Sequence, residues 1–177
     1  MARSRDPLAD PAPLIRRVYA YVAYRIGDGP DAEDVTSEVF ERALRYRATY
    51  DPGRGSPLAW LIGIARRCVD GRRMPALQGT AVASEQVAAG DLEADAVEHV
   101  ALRAAMSTLD ERSRDLLALR YGADLSARQI GTALGLKTNA VEVALHRALA
   151  RLRSELEQQE RPAGGVGLRE PAPRAST

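Results

Sequence analysis

The segment from Ser126 to Leu152 restricts the possible folds more than any other, because it predicts two short amphipathic helices separated by one glycine. Gly135 lies between them and can adopt the positive φ angle that a tight interhelical turn requires. Two helices joined in this way form a helix-turn-helix, whose second helix lies in the major groove of DNA. The predicted inner faces are Ile130, Ala133 and Leu134 on the first helix, and Val141, Leu145, Ala148, Leu149 and Leu152 on the second.

Helical spacing of apolar residues continues through the rest of the chain, without the sustained alternation that indicates strands. We therefore predict an all-α fold of two small helical domains, here called lobes, joined by a flexible acidic linker. Residues 75–100 contain five acidic residues and neither Lys nor Arg. Two basic lobes suit a protein that touches nucleic acid twice, although ordinary charge scatter gives the same pattern. The predicted organisation is a flexible N-terminus (1–13), a first lobe (14–74), a linker (75–92), a second lobe (93–160) and a disordered tail (161–177).

Start and stop signals divide both lobes into helices. Ser56 and Pro57 form a predicted N-terminal cap in the first lobe, and Thr108 with Glu111 forms a predicted capping box in the second. Trp60 lies among apolar residues and is interpreted as a core side chain. Besides the helix-turn-helix, the predicted helices cover about 14–26, 30–47, 57–71, 92–107 and 108–121. The second of them is predicted to bury Val35, Val39 and Ala43, with Phe40 and Leu44 beside them.

The composition argues against several classes of protein. One cysteine, Cys68, cannot form an internal disulfide, and two histidines disfavour a zinc site. We find no nucleophile–base pair and no phosphate-binding glycine loop, so we expect no enzyme activity, no metal and no cofactor. No apolar run approaches the ~18 residues of a membrane span, and the N-terminus is not a secretory signal. We therefore expect a cytoplasmic protein that does not insert into a membrane.

Two segments of the chain, in this order, resemble one family, the extracytoplasmic-function (ECF) group of bacterial sigma-70 factors. The first lobe resembles sigma region 2 in LIRRVYAYVAYRIGDGPDAEDVTSEVFERAL, YDPGRGS and AWLIGIARR. The second lobe resembles sigma region 4 in STLDERSRDLLALRYGADLSARQIGTALGLKTNAVEVALHRALARLRSEL. The resemblance implies a three-to-four-helix bundle for region 2 and a helix-turn-helix for region 4. It also implies a dissociable subunit that directs RNA polymerase to promoters and promotes strand opening there.

The same resemblance implies core RNA polymerase and promoter DNA as partners, with contacts to the clamp helices of the largest subunit and the flap of the second largest. The acidic linker is then either a simple tether or a segment that threads the active-site cleft and the RNA exit path. The group often uses an anti-sigma factor as a further partner, and that alternative stays open. The residues implied in docking on the clamp helices lie off the apolar stripe of the second helix: Asp34, Ser37, Glu38, Glu41 and Arg42.

The loop after the second helix, together with the third helix, is implied in binding and melting the minus-ten element. Melting takes a base out of the stack, which costs about a few kcal/mol and is offset by stacking surfaces and by cations on the DNA backbone. Many family members have Asn where this chain has Arg67. The residues implied at the minus-ten element are Asp51, Arg54, Gly55, Trp60, Arg66, Arg67 and Arg73.

The second helix of the helix-turn-helix is implied in reading the minus-thirty-five element. Family members commonly have a Lys/Arg-Ser-Arg run where this chain has Glu142-Val143-Ala144. A glutamate accepts a hydrogen bond from cytosine and an apolar side chain contacts the thymine methyl group, whereas arginine bridges guanine. The residues implied at this element are Arg128, Lys137, Asn139, Glu142, Val143, His146, Arg147 and Arg151.

Two other functions remain compatible with the sequence. One is a stand-alone helix-turn-helix regulator that binds duplex DNA as a dimer and never melts it. The other is a sigma-like antagonist that binds polymerase but has lost DNA readout. This alternative stays open because Glu142-Val143-Ala144 differs from the Lys/Arg-Ser-Arg run common in the family. Strand opening in the presence of polymerase separates these alternatives from a sigma factor.

Overall fold

The computed structural model describes residues 6–72 and 92–160, and for 92–99 and Glu160 it describes the backbone alone. All regular structure in these ranges is helical, which confirms the predicted all-α fold. The first lobe contains α1 (Pro11–Ile26), α2 (Pro30–Tyr46), a short 3-10 turn (Arg47–Thr49) and α3 (Pro57–Gly71). The second lobe contains α4 (Leu92–Thr108), α5 (Glu111–Leu117), a π-helical turn (Ala118–Gly122), α6 (Ala127–Leu134) and α7 (Thr138–Glu160).

Two of the predicted segments fall wholly or largely outside the described residues: the linker (75–92), of which only Leu92 is described, and the tail from residue 161 onward. The predicted flexible N-terminus (1–13) is described from residue 6, and α1 begins within it at Pro11. Within the described ranges, no helix combines the length and the apolar character needed to cross a lipid bilayer.

The helices of the first lobe begin where the local sequence favours a helix start. Proline occupies the first turn of α2 and α3, where its missing N–H breaks no hydrogen bond. The Ser56 hydroxyl accepts a hydrogen bond from the Ala59 N–H at 3.2 Å, which confirms the predicted cap of α3. Leu44 is 57% exposed, so its predicted place beside the core is wrong. The core of this lobe includes Val18, Val22, Val35, Val39, Ala43, Leu58, Leu61, Ile62 and Ala65.

The predicted capping box of Thr108 and Glu111 is wrong. Thr108 is the last residue of α4, and its hydroxyl donates a hydrogen bond to the Ala105 carbonyl at 2.8 Å. Asp110 caps α5 instead, because its carboxylate accepts hydrogen bonds from the Ser113 N–H at 3.1 Å and the Ser113 hydroxyl at 2.6 Å. These hydrogen bonds from Ser113 lower the pKa of Asp110.

The predicted helix-turn-helix is present, with α6 and α7 separated by a turn at Gly135. A capping box begins α6: the Ser126 hydroxyl accepts from the Gln129 N–H, and the Gln129 side-chain oxygen accepts from the Ser126 N–H at 2.8 Å. Gly135 ends α6 with a φ angle of 67°, in the left-handed region that favours glycine. The local sequence therefore determines where α6 begins and ends.

The inner face of α6 differs from the prediction at Ala133, which is exposed. The buried stripe instead follows the spacing i, i+3, i+4 and i+7 from the first residue of the helix. It passes through Gly131, where a Cβ atom would lie 2.7 Å from the carbonyl oxygen of Leu136. Glycine at this position lets the turn pack directly on α6. The stripe consists of Ala127, Ile130, Gly131 and Leu134.

The two lobes pack against each other and share one hydrophobic cluster. The contact is made mainly by α1, which packs on the π-helical turn and on α5. Gly122 permits the closest approach, because a Cβ atom there would lie 2.8 Å from the Ala20 carbonyl oxygen and from the Tyr21 nitrogen. The sequence predicted both lobes but not this contact, since an apolar stripe does not specify which surface covers it.

Candidate nucleic-acid and partner interfaces

The outward side of α7 carries most of the residues predicted to read duplex DNA. Val141, Leu145 and Ala148 are buried, so the opposite side of the helix faces solvent. Val143 is 44% exposed even though it is apolar. The exposed positions follow helical spacing and form one continuous surface, here called the recognition face. It consists of Asn139, Glu142, Val143, His146 and Arg147.

The other three cations predicted near this element occupy different environments. Arg128 is exposed at the start of α6, and Lys137 is exposed in the turn before α7. Arg151 is also exposed, but its Nη1 lies 2.7 Å from Oδ1 of Asp110. Since Asp110 caps α5, this ion pair links α7 to the start of α5. Arg151 is thus engaged within the lobe, whereas Arg128 and Lys137 extend the exposed basic surface.

The loop between α2 and α3 is held in shape by its own polar groups. Asp51 Oδ1 accepts a hydrogen bond from the Gly53 N–H at 2.9 Å. The Tyr50 hydroxyl donates to the Gly55 carbonyl at 3.0 Å. The Tyr50 and Trp60 rings lie 5.6 Å apart between centroids and are tilted by 58°, a favourable aromatic arrangement. Trp60 packs against the core but stays partly exposed, so it is not the fully buried side chain that its neighbours suggest.

The arginines predicted at the minus-ten element fall into two groups. Arg54 of the loop and Arg67 of α3 are exposed. The Arg66 side chain is only 33% exposed, and its Nη2 lies 3.1 Å from Oδ2 of Asp115 in the second lobe. Arg73 lies outside the described residues. The structure therefore leaves Arg54 and Arg67 open to solvent and directs Arg66 toward the other lobe.

The predicted docking surface on α2 is exposed except at its centre. Glu38 is partly buried, and its carboxylate lies 2.5 Å from Nη2 of Arg42 and 3.6 Å from Nη2 of Arg72. Glu38 is therefore already neutralised by cations of its own lobe. The residues exposed on this surface are Asp34, Ser37, Glu41 and Arg42.

A buried polar cluster at the junction of the lobes was not predicted. The Arg25 side chain of α1 is only 4% exposed, and its Nη1 lies 2.6 Å from Oδ1 of Asp115. Its Nη2 lies 3.0 Å from Asp70 of α3 and 3.3 Å from Glu111 of α5. The Tyr21 hydroxyl donates a hydrogen bond to Asp115 at 2.8 Å. One arginine of the first lobe is thus held by two carboxylates of the second.

The sequence contained a signal for this cluster. Tyr21 and Arg25 lie on the same helical stripe as Val18 and Val22, so α1 presents a polar group where an apolar one is expected. Charged side chains are rarely buried unless they are paired. Burial and the nearby Asp115 carboxylate raise the pKa of Tyr21, so its hydroxyl stays protonated and donates.

Comparison with known proteins identifies the family. Residues 13–73 match Sigma-70 region 2 and residues 99–152 match Sigma-70, region 4. SigD of Mycobacterium tuberculosis, an ECF RNA polymerase sigma factor, is 32% identical over 175 residues that cover 88% of this chain and 80% of SigD. BldN of Streptomyces coelicolor, another ECF RNA polymerase sigma factor, is 29% identical over 143 residues, or 76% of this chain; the match spans about half of BldN (54%).

Two solved structures share the fold. CnrH, in complex with the cytosolic domain of CnrY, has a TM-score of 0.58 and 23% identity over 83% of this chain and 82% of CnrH. The sigma factor RpoE in complex with the anti-sigma factor NepR from Bartonella quintana has a TM-score of 0.60 and 18% identity, over 84% of this chain and 94% of the RpoE chain. The chain therefore belongs to the ECF group of the sigma-70 family. It is a transcription initiation factor that acts with RNA polymerase at promoters.

Proposed function

We propose that this sigma factor divides initiation among three surfaces. The α2 surface docks on the clamp helices of the largest polymerase subunit, the α2–α3 loop with α3 binds and opens the minus-ten element, and the recognition face reads the minus-thirty-five element. The observation that carries the proposal is the recognition face itself, a continuous exposed surface on the second helix of a helix-turn-helix. The chain works in the cytoplasm and is not an enzyme, because nucleotide addition belongs to the polymerase.

The chemistry of the recognition face supports base readout of an unusual kind. Glu142 is suited to accept a hydrogen bond from the cytosine amino group, and Val143 to contact a thymine methyl group. Arg147 lies one turn further along α7 and supplies the cation on this face. Arg128 and Lys137 flank the helix where phosphates border the groove, which positions the protein without reading sequence.

The geometry of the α2–α3 loop supports contact with separated strands. Bases that leave the stack need an aromatic or apolar surface, and each stacked base contributes about 1–3 kcal/mol. The Tyr50–Trp60 pair is partly exposed, and the same loop and α3 also carry the exposed cations Arg54 and Arg67. Hydrogen bonds made by Asp51 hold the loop in place, so less entropy is lost when DNA binds.

The α2 surface has the character of a partner interface. Leu44 is 57% exposed on the same side of the helix as Asp34 and Glu41, so an apolar side chain stands among acidic ones. Interfaces commonly combine an apolar centre with a charged rim, and the rim sets the association rate and the orientation. In the same scheme the second lobe contacts the flap of the second-largest subunit.

Reconstituted transcription tests this function. Core polymerase would be combined with the full chain and a library of genomic fragments, and transcript starts and permanganate-reactive thymines would be mapped. A sigma factor with these surfaces yields new start sites and reactive thymines only when both proteins are present. Footprints without polymerase would indicate a stand-alone regulator, and polymerase binding without strand opening would indicate an antagonist.

A further inference from the structure

We propose that a cavity between α1 and α4 binds a small organic anion, a carboxylate on an apolar body of about one ring, with Arg114 as the matching cation. Such a site goes beyond the function proposed above, because no residue that lines the cavity belongs to the surfaces assigned to polymerase or to promoter DNA. The ligand is defined by its chemistry, which is one negative charge joined to one apolar group.

The size and the apolar walls of the cavity set the size of the ligand. The cavity lies where the last turn of α1 faces α4, and its volume is about 190 Å³. Its apolar lining is Ala23, Ile26, Leu102 and Met106. An apolar cavity of about 150 Å³ is large enough to hold benzene, so this one accommodates a single ring with one polar group. A helix of a partner protein, about 10–12 Å across, is too wide for it.

The charged residues that line the cavity are mostly basic: Arg25, Arg103 and Arg114 stand against Asp28. Two of these arginines have partners. Nη2 of Arg103 lies 2.8 Å from Oδ1 of Asp28, and Nη1 of Arg25 lies 2.6 Å from Oδ1 of Asp115. Arg114 forms no ion pair with any side chain that the structure describes, so one positive charge of the lining is left unmatched.

The hydrogen bonds of Arg114 orient its guanidinium but do not neutralise it. Its Nη2 donates to the carbonyl oxygen of Leu109 at 2.9 Å and to that of Ser107 at 3.2 Å. Both acceptors are uncharged. Its Nε is buried without a hydrogen-bond partner. The side chain is therefore held in place at the cavity wall and partly removed from water, which is costly for a charge without a counterion.

The acidic residues next to Arg114 in α5 do not supply that counterion. Glu111 pairs with Arg25 at 3.3 Å, and Asp110 pairs with Arg151 at 2.7 Å. Burial of the Arg114 side chain, together with repulsion from Arg25, lowers the pKa of Arg114. A negative charge in the cavity would offset both effects, so the lining favours an anion.

A carboxylate on an apolar body satisfies both parts of the lining. A carboxylate matches the donor geometry of a guanidinium better than a spherical anion does. Tyr24 also lines the cavity, and burial raises the pKa of its hydroxyl, which stays protonated and able to donate. An inorganic anion would leave the apolar walls uncovered, whereas an uncharged ring would leave Arg114 unmatched.

The proposal is tested on the full chain by NMR titration with three probes at equal ionic strength: benzoate, its uncharged isostere benzamide, and inorganic phosphate. We expect benzoate to shift the methyl resonances of Ile26, Leu102 and Met106 and to bind about tenfold more tightly than benzamide, equivalent to about 1.4 kcal/mol. Phosphate should leave these resonances unchanged. Benzamide that binds as tightly as benzoate, phosphate that causes the same shifts, or benzoate that causes none up to its solubility limit overturns the proposal.

A charge-removing variant tests the role of Arg114. Arg114→Gln keeps a hydrogen-bond donor but removes the charge, and Arg112→Gln is the matched control, because Arg112 is exposed on the same helix and does not line the cavity. We expect Arg114→Gln to lose about tenfold in benzoate affinity with little change for benzamide, while Arg112→Gln behaves as wild type. Equal losses in the two variants, or no loss in Arg114→Gln, contradict the assignment of Arg114.

A cavity-filling variant keeps the proposal testable if Arg114→Gln fails to fold. Ala23→Leu adds three carbon atoms at the apolar wall and leaves every charge in place, and circular dichroism checks its helix content. We expect this variant to weaken benzoate and benzamide alike, because both rings occupy the space that leucine fills. A folded Ala23→Leu chain that binds benzoate as wild type does places the ligand elsewhere and overturns the proposal.

Discussion

The two proposed DNA-binding surfaces have similar residues but different availability. On α7, Arg147 lies on an exposed face opposite a fully packed core. On α3, Arg66 has the same chemistry and the same helical setting, yet it is ion-paired with Asp115 of the other lobe. A cation on a proposed DNA-binding helix is therefore not necessarily available for DNA. Tertiary contacts decide whether it faces solvent or a carboxylate.

The largest expected effect tests whether the recognition face depends on the local turn that precedes it. Gly131→Ala places a Cβ atom 2.7 Å from the Leu136 carbonyl oxygen, so the turn must shift. We expect a loss of about 3 kcal/mol in the free energy of unfolding, measured with urea, together with loss of minus-thirty-five binding. Gly63→Ala is the matched control, because its Cβ meets no atom within 4 Å and alanine favours a helix by about 0.5–1 kcal/mol. Equal destabilisation by both changes would contradict the packing described for α6.

The next effect compares readout within the recognition face. Arg147→Ala removes a cation from the groove, and we expect about a tenfold loss of holoenzyme affinity for minus-thirty-five duplex, equivalent to about 1.4 kcal/mol. Val143→Ala removes only apolar contact and should cost less. Affinities are measured by fluorescence anisotropy at several salt concentrations, because loss of a phosphate contact also reduces the salt dependence. Equal losses for the two variants would undercut the assignment of Arg147 to the groove.

A smaller effect tests the α2 surface, which lies away from the lobe contact. Glu41→Arg reverses an exposed charge, and we expect association with core polymerase to slow by about threefold, measured by surface plasmon resonance. Asp10→Arg, at an exposed acidic residue just before α1, is the matched charge reversal outside this surface. Glu38→Arg, at another residue of the predicted docking surface, also breaks ion pairs with Arg42 and Arg72 and is therefore less specific. The docking assignment fails if Glu41→Arg and Asp10→Arg associate at the same rate.

The smallest effect concerns the cap of α5, which was predicted at Thr108 but lies at Asp110. Hydrogen bonds from Ser113 lower the pKa of Asp110 below the ordinary value of 3.8. A carboxyl group with a lower pKa in the folded state stabilises the fold above its unfolded pKa, and this contribution is lost as the pH falls through the folded value. We expect Asp110→Asn to reduce the slope of stability against pH below about pH 4. If the melting temperature depends on pH in the same way in Asp110→Asn and in wild type between pH 2 and pH 6, the cap is not coupled to folding.

The sequence predicted features that depend on neighbouring residues along the chain. The cap at Ser56 and the turn at Gly135 follow from the residues present at those positions. The error at Thr108 has a local cause as well: two candidate caps stand close together, and Asp110 holds the position from which its side chain reaches the Ser113 N–H. Ala133 is exposed because the inward stripe of α6 passes through Gly131, a residue without a side chain to signal its burial in the sequence.

The burial of Arg25 could not be predicted in the same way. An arginine on an apolar stripe indicates that a partner is needed, but it does not identify the partner. Its carboxylates come from positions 45, 86 and 90 residues away in the chain. No rule based on neighbouring residues links positions so far apart in the chain. The ion pair between Arg66 and Asp115 could not be predicted for the same reason.

Helical periodicity, caps and motifs lie in consecutive residues, so the helices, the turn at Gly135 and the family could be predicted from the chain alone. The contact between the lobes, the place of Asp115 at their junction and the pairing of Arg66 with a carboxylate became visible in the folded structure. Burial and charge pairing depend on which surfaces meet in space. Those surfaces come from segments that the chain order separates.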